Sequence, residues 1–243
     1  MKPIIYGLAF LFGYLFSSCQ VNVKPIHGNG NLIQKEIAIT DYRVISVAGN
    51  KLQVEYTHSD ETPHLSVECD ENLFPLFKIH TSHDTLLIEP KKEGFLMNPT
   101  RFVIQTRSSA IETLSMAGDV SFTAMNSLIV PDLAIHMAGK CLVKAESLDI
   151  SRLTLNIAGK CQTDLRGKAG QVDLNLAGKC DYNAPDLQAK ELTCRTAGAC
   201  SLHVFVTDTI NLKPVGACDL YYKGNPHIIR QGVNMGTIQK IIE

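Results

Sequence analysis

The sequence predicts an all-β fold: a right-handed parallel β-helix, or β-solenoid, with coils of about twenty residues and a less regular N-terminal cap region. Three observations carry this. Glycines recur at Gly118, Gly139, Gly159, Gly178, Gly198, Gly216 and Gly236, at intervals of 18–21 residues. Before them run alternating apolar segments, such as Leu133-x-Ile135-x-Met137, Leu153-x-Leu155-x-Ile157 and Val172-x-Leu174-x-Leu176. Two residues after each glycine stands an apolar residue: Val120, Cys141, Cys161, Cys180, Cys200, Cys218 and Ile238.

Period-two alternation is the mark of a half-buried strand. A glycine closing each strand fits a corner, where φ is positive or backbone approaches backbone. The structural corner glycines are Gly118, Gly139, Gly159, Gly178, Gly198 and Gly216. No single unit can bury its apolar face alone, but stacked units share one core. A leucine-rich repeat is the rival, since Ile150-x-x-Leu153-x-Leu155 resembles one. That architecture needs an asparagine ladder at the turn, where this chain has Ala158, Ala177 and Ala197.

The N-terminus reads as a targeting segment. Lys2 precedes an apolar run over residues 4–16, too short for a stable membrane span, which ends Phe16-Ser17-Ser18-Cys19. Small residues before such a cysteine resemble a bacterial lipoprotein signal. The resemblance implies cleavage before Cys19, lipidation of its thiol and a membrane anchor. Gln20, by the same resemblance, favours the outer membrane. The segment 20–24 carries no acidic residue, which favours the periplasmic face, with surface display open. The expected organisation is a signal peptide over 1–18, a lipidated cysteine and tether over 19–27, and a β-helical domain over 28–243. Within it, 28–110 are irregular first coils and 111–238 regular repeats. Strands are expected at 42–47, 52–56, 65–67, 86–88 and 102–105, with a short helix or bridge over 73–79. A separate small β domain is the alternative for this region.

Composition excludes some partners. The net charge is −1 among 19% charged residues, so no basic field invites nucleic acid. Aromatic residues are 7% and tryptophan is absent, which leaves few flat faces on which a sugar could stack.

Further residues carry a family resemblance. Gly28-Asn29-Gly30 opens the mature domain; Val67-Glu68-Cys69-Asp70-Glu71-Asn72-Leu73 precedes a strand pair ending Thr85-Leu86-Leu87-Ile88. Glycine-corner repeats follow, and the chain closes on Tyr221-Tyr222-Lys223-Gly224-Asn225-Pro226 and Gly236-Thr237-Ile238. Over about residues 28–243 the chain resembles the auto-transporter adhesin, head GIN domain family of bacterial envelope proteins. The resemblance implies a β-helical fold and secretion, and no established activity. One departure stands out: where the family has an acidic corner residue followed by an aliphatic one, this chain has Lys140, Lys160 and Lys179 followed by cysteine.

By the repeat spacing, Cys141, Cys161, Cys180, Cys200 and Cys218 share a column with Val120 and Ile238, and Cys194 shares another with Ile135, Leu155, Leu174 and Leu212. Cysteine replacing aliphatics in two ladders behaves as a small hydrophobe, so a buried thiol ladder is the leading reading. Disulfides are the second, because coils about 4.8 Å apart bring Cα atoms within bridging range, although parallel side chains would strain the bridge. A soft two-coordinate ion between neighbours is the third; tetrahedral zinc needs ligands that converge, and a straight ladder does not converge.

Lys140, Lys160 and Lys179 form an outward stripe, either a solvated face or an anion-binding site. Catalysis on a β-helix needs clustered carboxylates, and Asp181 and Asp219 share an outward column two coils apart. The sequence therefore predicts a lipid-anchored envelope protein, non-enzymatic, without cofactor or resident metal. Its expected role is binding, adhesion or structure, with envelope polysaccharide, another polyanion or a protein as partner. The alternatives are a polysaccharide-active β-helix lyase or hydrolase, and a thiol-based metal or redox protein.

Overall fold

The computed structural model describes residues 25–92 and 96–241, so the expected signal segment and Cys19 lie outside the described residues. The described chain is all-β. Its helical content among those residues is one 3-10 turn, Phe74–Leu76, which leads directly into strand Phe77–Ser82. No helix there is long and apolar enough to cross a membrane.

Strand geometry runs without a break over Leu128–Lys223, 96 residues. Straight, such a strand would exceed about 300 Å. The glycine corners turn it back on itself instead. Strand Val44–His58 lies parallel to Thr113–Ala124, which lies parallel to the start of the long segment, with Gly49 paired to Gly118 and Gly118 to Gly139. Each later corner glycine then meets the backbone of the one before it: Gly159 on Gly139, Gly178 on Gly159, Gly198 on Gly178 and Gly216 on Gly198.

Stacking in register turns each repeat position into a column. Ile45, Leu114, Ile135, Leu155, Leu174, Cys194 and Leu212 form one such column and are all buried. Side chains of alternate residues join one continuous hydrophobic cluster that runs the length of the stack. Burying each large aliphatic contributes roughly 1.5–3 kcal/mol. The ion pairs, in contrast, join exposed or half-exposed groups, for example Arg43 with Glu112 and Arg166 with Glu146, and contribute little each.

The corner column begins earlier than the sequence indicated. Gly49 belongs to it, and one extra residue, Lys51 at φ 57°, shifts the register between Asn50 and Leu52. The segments before Val44 and between His58 and Thr113 form an excursion with pairings of both senses. Thr85–Pro90 and Phe102–Ser108 run parallel to Val44–His58, and the other pairings include antiparallel ones. Leu32–Glu36 pairs with His64–Asp70, which pairs with Phe102–Ser108, while Phe77–Ser82 pairs with Thr85–Pro90. The buried Asp70 carboxylate ties the excursion together by accepting from the backbone N–H of Gly30 at 2.9 Å and of Thr100 at 2.8 Å.

The last repeat corrects the sequence spacing. Gly216 pairs with Asn234 and Leu220 with Ile238, so Gly236 stands beside Cys218. Gly236 and Ile238 thus lie two positions beyond the columns expected for them. Strand pairing fixes an 18-residue final repeat here (238 − 220), and the glycine spacing of 20 (236 − 216) misleads.

Candidate functional site

The corner sequence Ala-Gly-Lys-Cys builds the site locally. The corner glycines Gly118, Gly139, Gly159, Gly178, Gly198 and Gly216 have φ between 101° and 127°, a left-handed conformation that side chains disfavour. The residue after each points outward and the next one inward. Lys140, Lys160 and Lys179 are accordingly exposed, and Cys141, Cys161, Cys180, Cys200 and Cys218 are buried.

A surface groove of about 550 Å³ runs along this corner face. The lysine column forms one side, and Gln162, Asp181, Ser201 and Asp219 line the other. Cys161, Cys180 and Cys200 form the floor. The lysine column ends in Ala199 and Ala217, which also line the groove. It is therefore basic toward one end and small-residued toward the other.

The three lysines differ. The Lys140 ammonium pairs with Asp119 at 2.9 Å, a residue of the preceding corner that sequence reasoning did not single out. Lys160 and Lys179 make no ion pair among the described residues. Of the two groove carboxylates, Asp219 accepts the backbone N–H of Thr237 at 2.8 Å, so one oxygen is engaged in holding the final coil. Asp164 and Asp173 are bound elsewhere, to Arg166 at 3.9 Å and Gln171 at 3.1 Å. No group of three or more His, Cys, Asp or Glu side chains suited to a metal occurs among the described residues. The groove thus offers ammonium groups, amides, hydroxyls and thiols in rows, and no tight acid–base constellation.

The thiols interact along the stack. Cys141 and Cys161, and Cys180 and Cys200, stand beside each other on adjacent strands, and the Cys180 S–H donates to the Ala177 carbonyl oxygen at 3.8 Å. Within each pair one thiol is held below the ordinary value by its neighbour and the other is raised above it. Burial pushes Cys218 up to about 11 and Cys194 well above its ordinary value. The Cys161 sulfur also lies 3.6 Å from the Gly139 carbonyl oxygen, and the Cys141 sulfur 3.6 Å from that of Ala138. Away from the groove, His136, Asn156, Asn175 and Arg195 link side chain to side chain in a polar ladder, with Asn175 donating to Asn156 at 2.9 Å. Four consecutive strands carry these residues at the position three before the corner glycine, a signal legible in the repeat.

Residues 41–226 match the family model described as Putative auto-transporter adhesin, head GIN domain. Among solved structures, a protein titled putative lipid binding protein, from Parabacteroides distasonis, is 28% identical with a TM-score of 0.73, covering 90% of this chain and 100% of its own. A putative adhesin from Bacteroides fragilis shares the fold at 24% identity and a TM-score of 0.80, covering 89% of this chain and 100% of its own. Another from Parabacteroides merdae does so at 24% and 0.66, covering 90% and 100%. No curated protein matches the chain.

Proposed function

The chain belongs to the Putative auto-transporter adhesin, head GIN domain family, and from that premise we propose that it is a non-enzymatic binding or adhesion module of the bacterial cell envelope. In this reading the stacked corners are those of a right-handed parallel β-helix. Cys19 carries the lipid that anchors it to the outer membrane, and the corner groove takes an extended polyanion such as an acidic envelope polysaccharide.

The observation that carries the reading is the alignment of Lys140, Lys160 and Lys179 along one side of the groove. Coils about 4.8 Å apart set the ammonium groups in a row, so a chain with regular anionic charge meets several at once. Each contact is weak in water, and their sum is sensitive to salt. The names of the family and of the similar structures, adhesin and lipid binding protein, support a binding role over catalysis. The Parabacteroides distasonis relative favours a second reading, in which the anionic group is a lipid headgroup.

The test is binding of the full-length chain to polygalacturonate oligomers and, separately, to phosphatidylglycerol vesicles over a salt series. The comparison is with the variant Lys140→Glu, Lys160→Glu, Lys179→Glu. Binding to the polysaccharide that falls with salt and is lost in the variant supports the reading. Loss confined to the vesicles favours the lipid. Equal binding of both proteins overturns the groove as the site.

A further inference from the structure

We infer that the Cys180 and Cys200 thiols form a two-coordinate site for a soft monovalent cation of the Cu(I) or Ag(I) class, at the small-residue end of the groove. The inference stands apart from the polyanion reading: it uses the groove floor, where that reading uses the lysine side.

Geometry is the first argument. Gly198 sits on Gly178, so the cysteines two residues on, Cys180 and Cys200, occupy adjacent coils in register. Parallel side chains on adjacent strands lie about 4.8 Å apart. A linear sulfur–metal–sulfur unit needs about twice a metal–thiolate bond of roughly 2.3 Å, or about 4.6 Å. The coil spacing is therefore close to the span of a bridging ion. A direct sulfur–sulfur bond of about 2.05 Å requires both side chains to turn toward each other.

Composition is the second. Leu52 and Val120 fill the same inward column in the first two coils and are buried there. Packing therefore accepts aliphatics, yet five successive coils use the one small residue that ligates soft metals.

The Cys180–Cys200 pair is the less shielded by positive charge. Above Cys141 and Cys161 stand two lysines, Lys140 and Lys160, whose charge opposes an approaching cation, whereas Lys179 alone stands above the Cys180–Cys200 pair. Above Cys200 stands Ala199, with Ala217 beyond it and Asp181 and Ser201 on the other side, all lining the groove. Among the described residues no third His, Cys, Asp or Glu completes a larger metal cluster. A tetrahedral divalent ion is thus poorly served, while a two-coordinate ion is complete.

Binding involves no electron transfer. Two thiols lose their protons to solvent, and two sulfur–metal bonds form. The product is a bis-thiolate complex of net charge −1, with Lys179 beside it.

The test titrates the full-length chain, reduced and without oxygen, with silver nitrate and with Cu(I) supplied as its acetonitrile complex against a chromogenic Cu(I) chelator. The wild-type chain is expected to hold one equivalent against the chelator. X-ray absorption at the metal should show two sulfur neighbours and no others. Cys180→Val and Cys200→Val, chosen because the same column already houses a valine at position 120, should lose that equivalent, while Cys194→Val should keep it. Failure of the wild-type chain to retain metal, a coordination shell containing nitrogen, oxygen or a third sulfur, or full retention by folded Cys180→Val and Cys200→Val would each overturn the inference. The wild-type spectrum needs no variant, so the test stands even where a valine substitution unfolds the chain. A metal result of either kind leaves polyanion binding to be decided by the lysine variant.

Discussion

The carbonyl oxygen of Gly139 lies 2.4 Å from the point where a β-carbon on Gly159 would stand. The two corners are packed backbone on backbone, and Gly159 also has φ 119°. Even the smallest side chain must push the coils apart while adopting a conformation it disfavours. Gly159→Ala is expected to destabilise the chain by roughly 2–4 kcal/mol, more than a typical surface substitution. Urea denaturation followed by circular dichroism checks this, and a midpoint equal to wild type would mean the corners do not stack.

The inward direction of the thiol column gives a paired prediction. Cys180→Asp buries a carboxylate among apolar neighbours with no cation to pair with it. It should cost about 3–5 kcal/mol or leave the chain unfolded. Cys180→Val replaces one small hydrophobe with another and should cost less than about 1.5 kcal/mol. The contrast between the two unfolding midpoints tests direction, since an outward site would tolerate the aspartate better than the valine.

Asp70 should govern part of the acid sensitivity. Burial pushes its carboxyl upward, but the backbone N–H groups of Gly30, Thr100 and Arg101 and the Thr100 hydroxyl outweigh this and hold it below the ordinary value. A depressed folded value means that its contribution is fully present above the ordinary carboxylate range and is lost as pH falls through the folded value. Asp70→Asn turns one acceptor oxygen into a donor facing an N–H, and should cost roughly 1–3 kcal/mol at neutral pH. The gap between the two proteins should narrow as pH drops below about 4, measured as urea midpoints across a pH series. A constant gap would contradict the assignment.

Lys140 and Lys160 should separate in their effects. Lys140 is already partnered by Asp119 across the corner, whereas Lys160 makes no ion pair among the described residues. Lys160→Gln should therefore weaken polygalacturonate binding more than Lys140→Gln does, and Asp119→Asn should strengthen it. Both effects should shrink at high salt. Titration calorimetry of the three single variants checks the order.

Much of this was legible in the sequence because stacking repeats a constraint in every coil. A corner that only glycine tolerates and a column that only apolar residues fill leave a periodic trace, as at Gly139, Gly159 and Gly178. What broke the period was hidden. Gly49 belongs to the column, but Lys51 offsets the residues after it, and 69 positions separate it from Gly118 (118 − 49). At the other end Gly236 continued the glycine spacing by coincidence, while pairing of Leu220 with Ile238 decided the register. The groove itself depends on what sits beside the lysines. Its small-residue end is lined by Ala199 and Ala217, and the engagement of Asp219 comes from a backbone N–H contributed by the next coil. Such relations between coils leave no mark on a single repeat.

The most direct test of the stacked-column account is a count of reactive thiols with a bulky maleimide, on reduced, metal-free full-length chain, before and after unfolding. The described cysteines, from Cys69 to Cys218, are all buried, and those on the groove floor, Cys161, Cys180 and Cys200, are at most 5% exposed. The account predicts that these seven thiols stay unlabelled in the native chain and all react once it is unfolded. Rapid labelling of Cys141, Cys161, Cys180, Cys200 and Cys218 in the native chain would contradict it, because the column would then face solvent and the repeats could not share the core described.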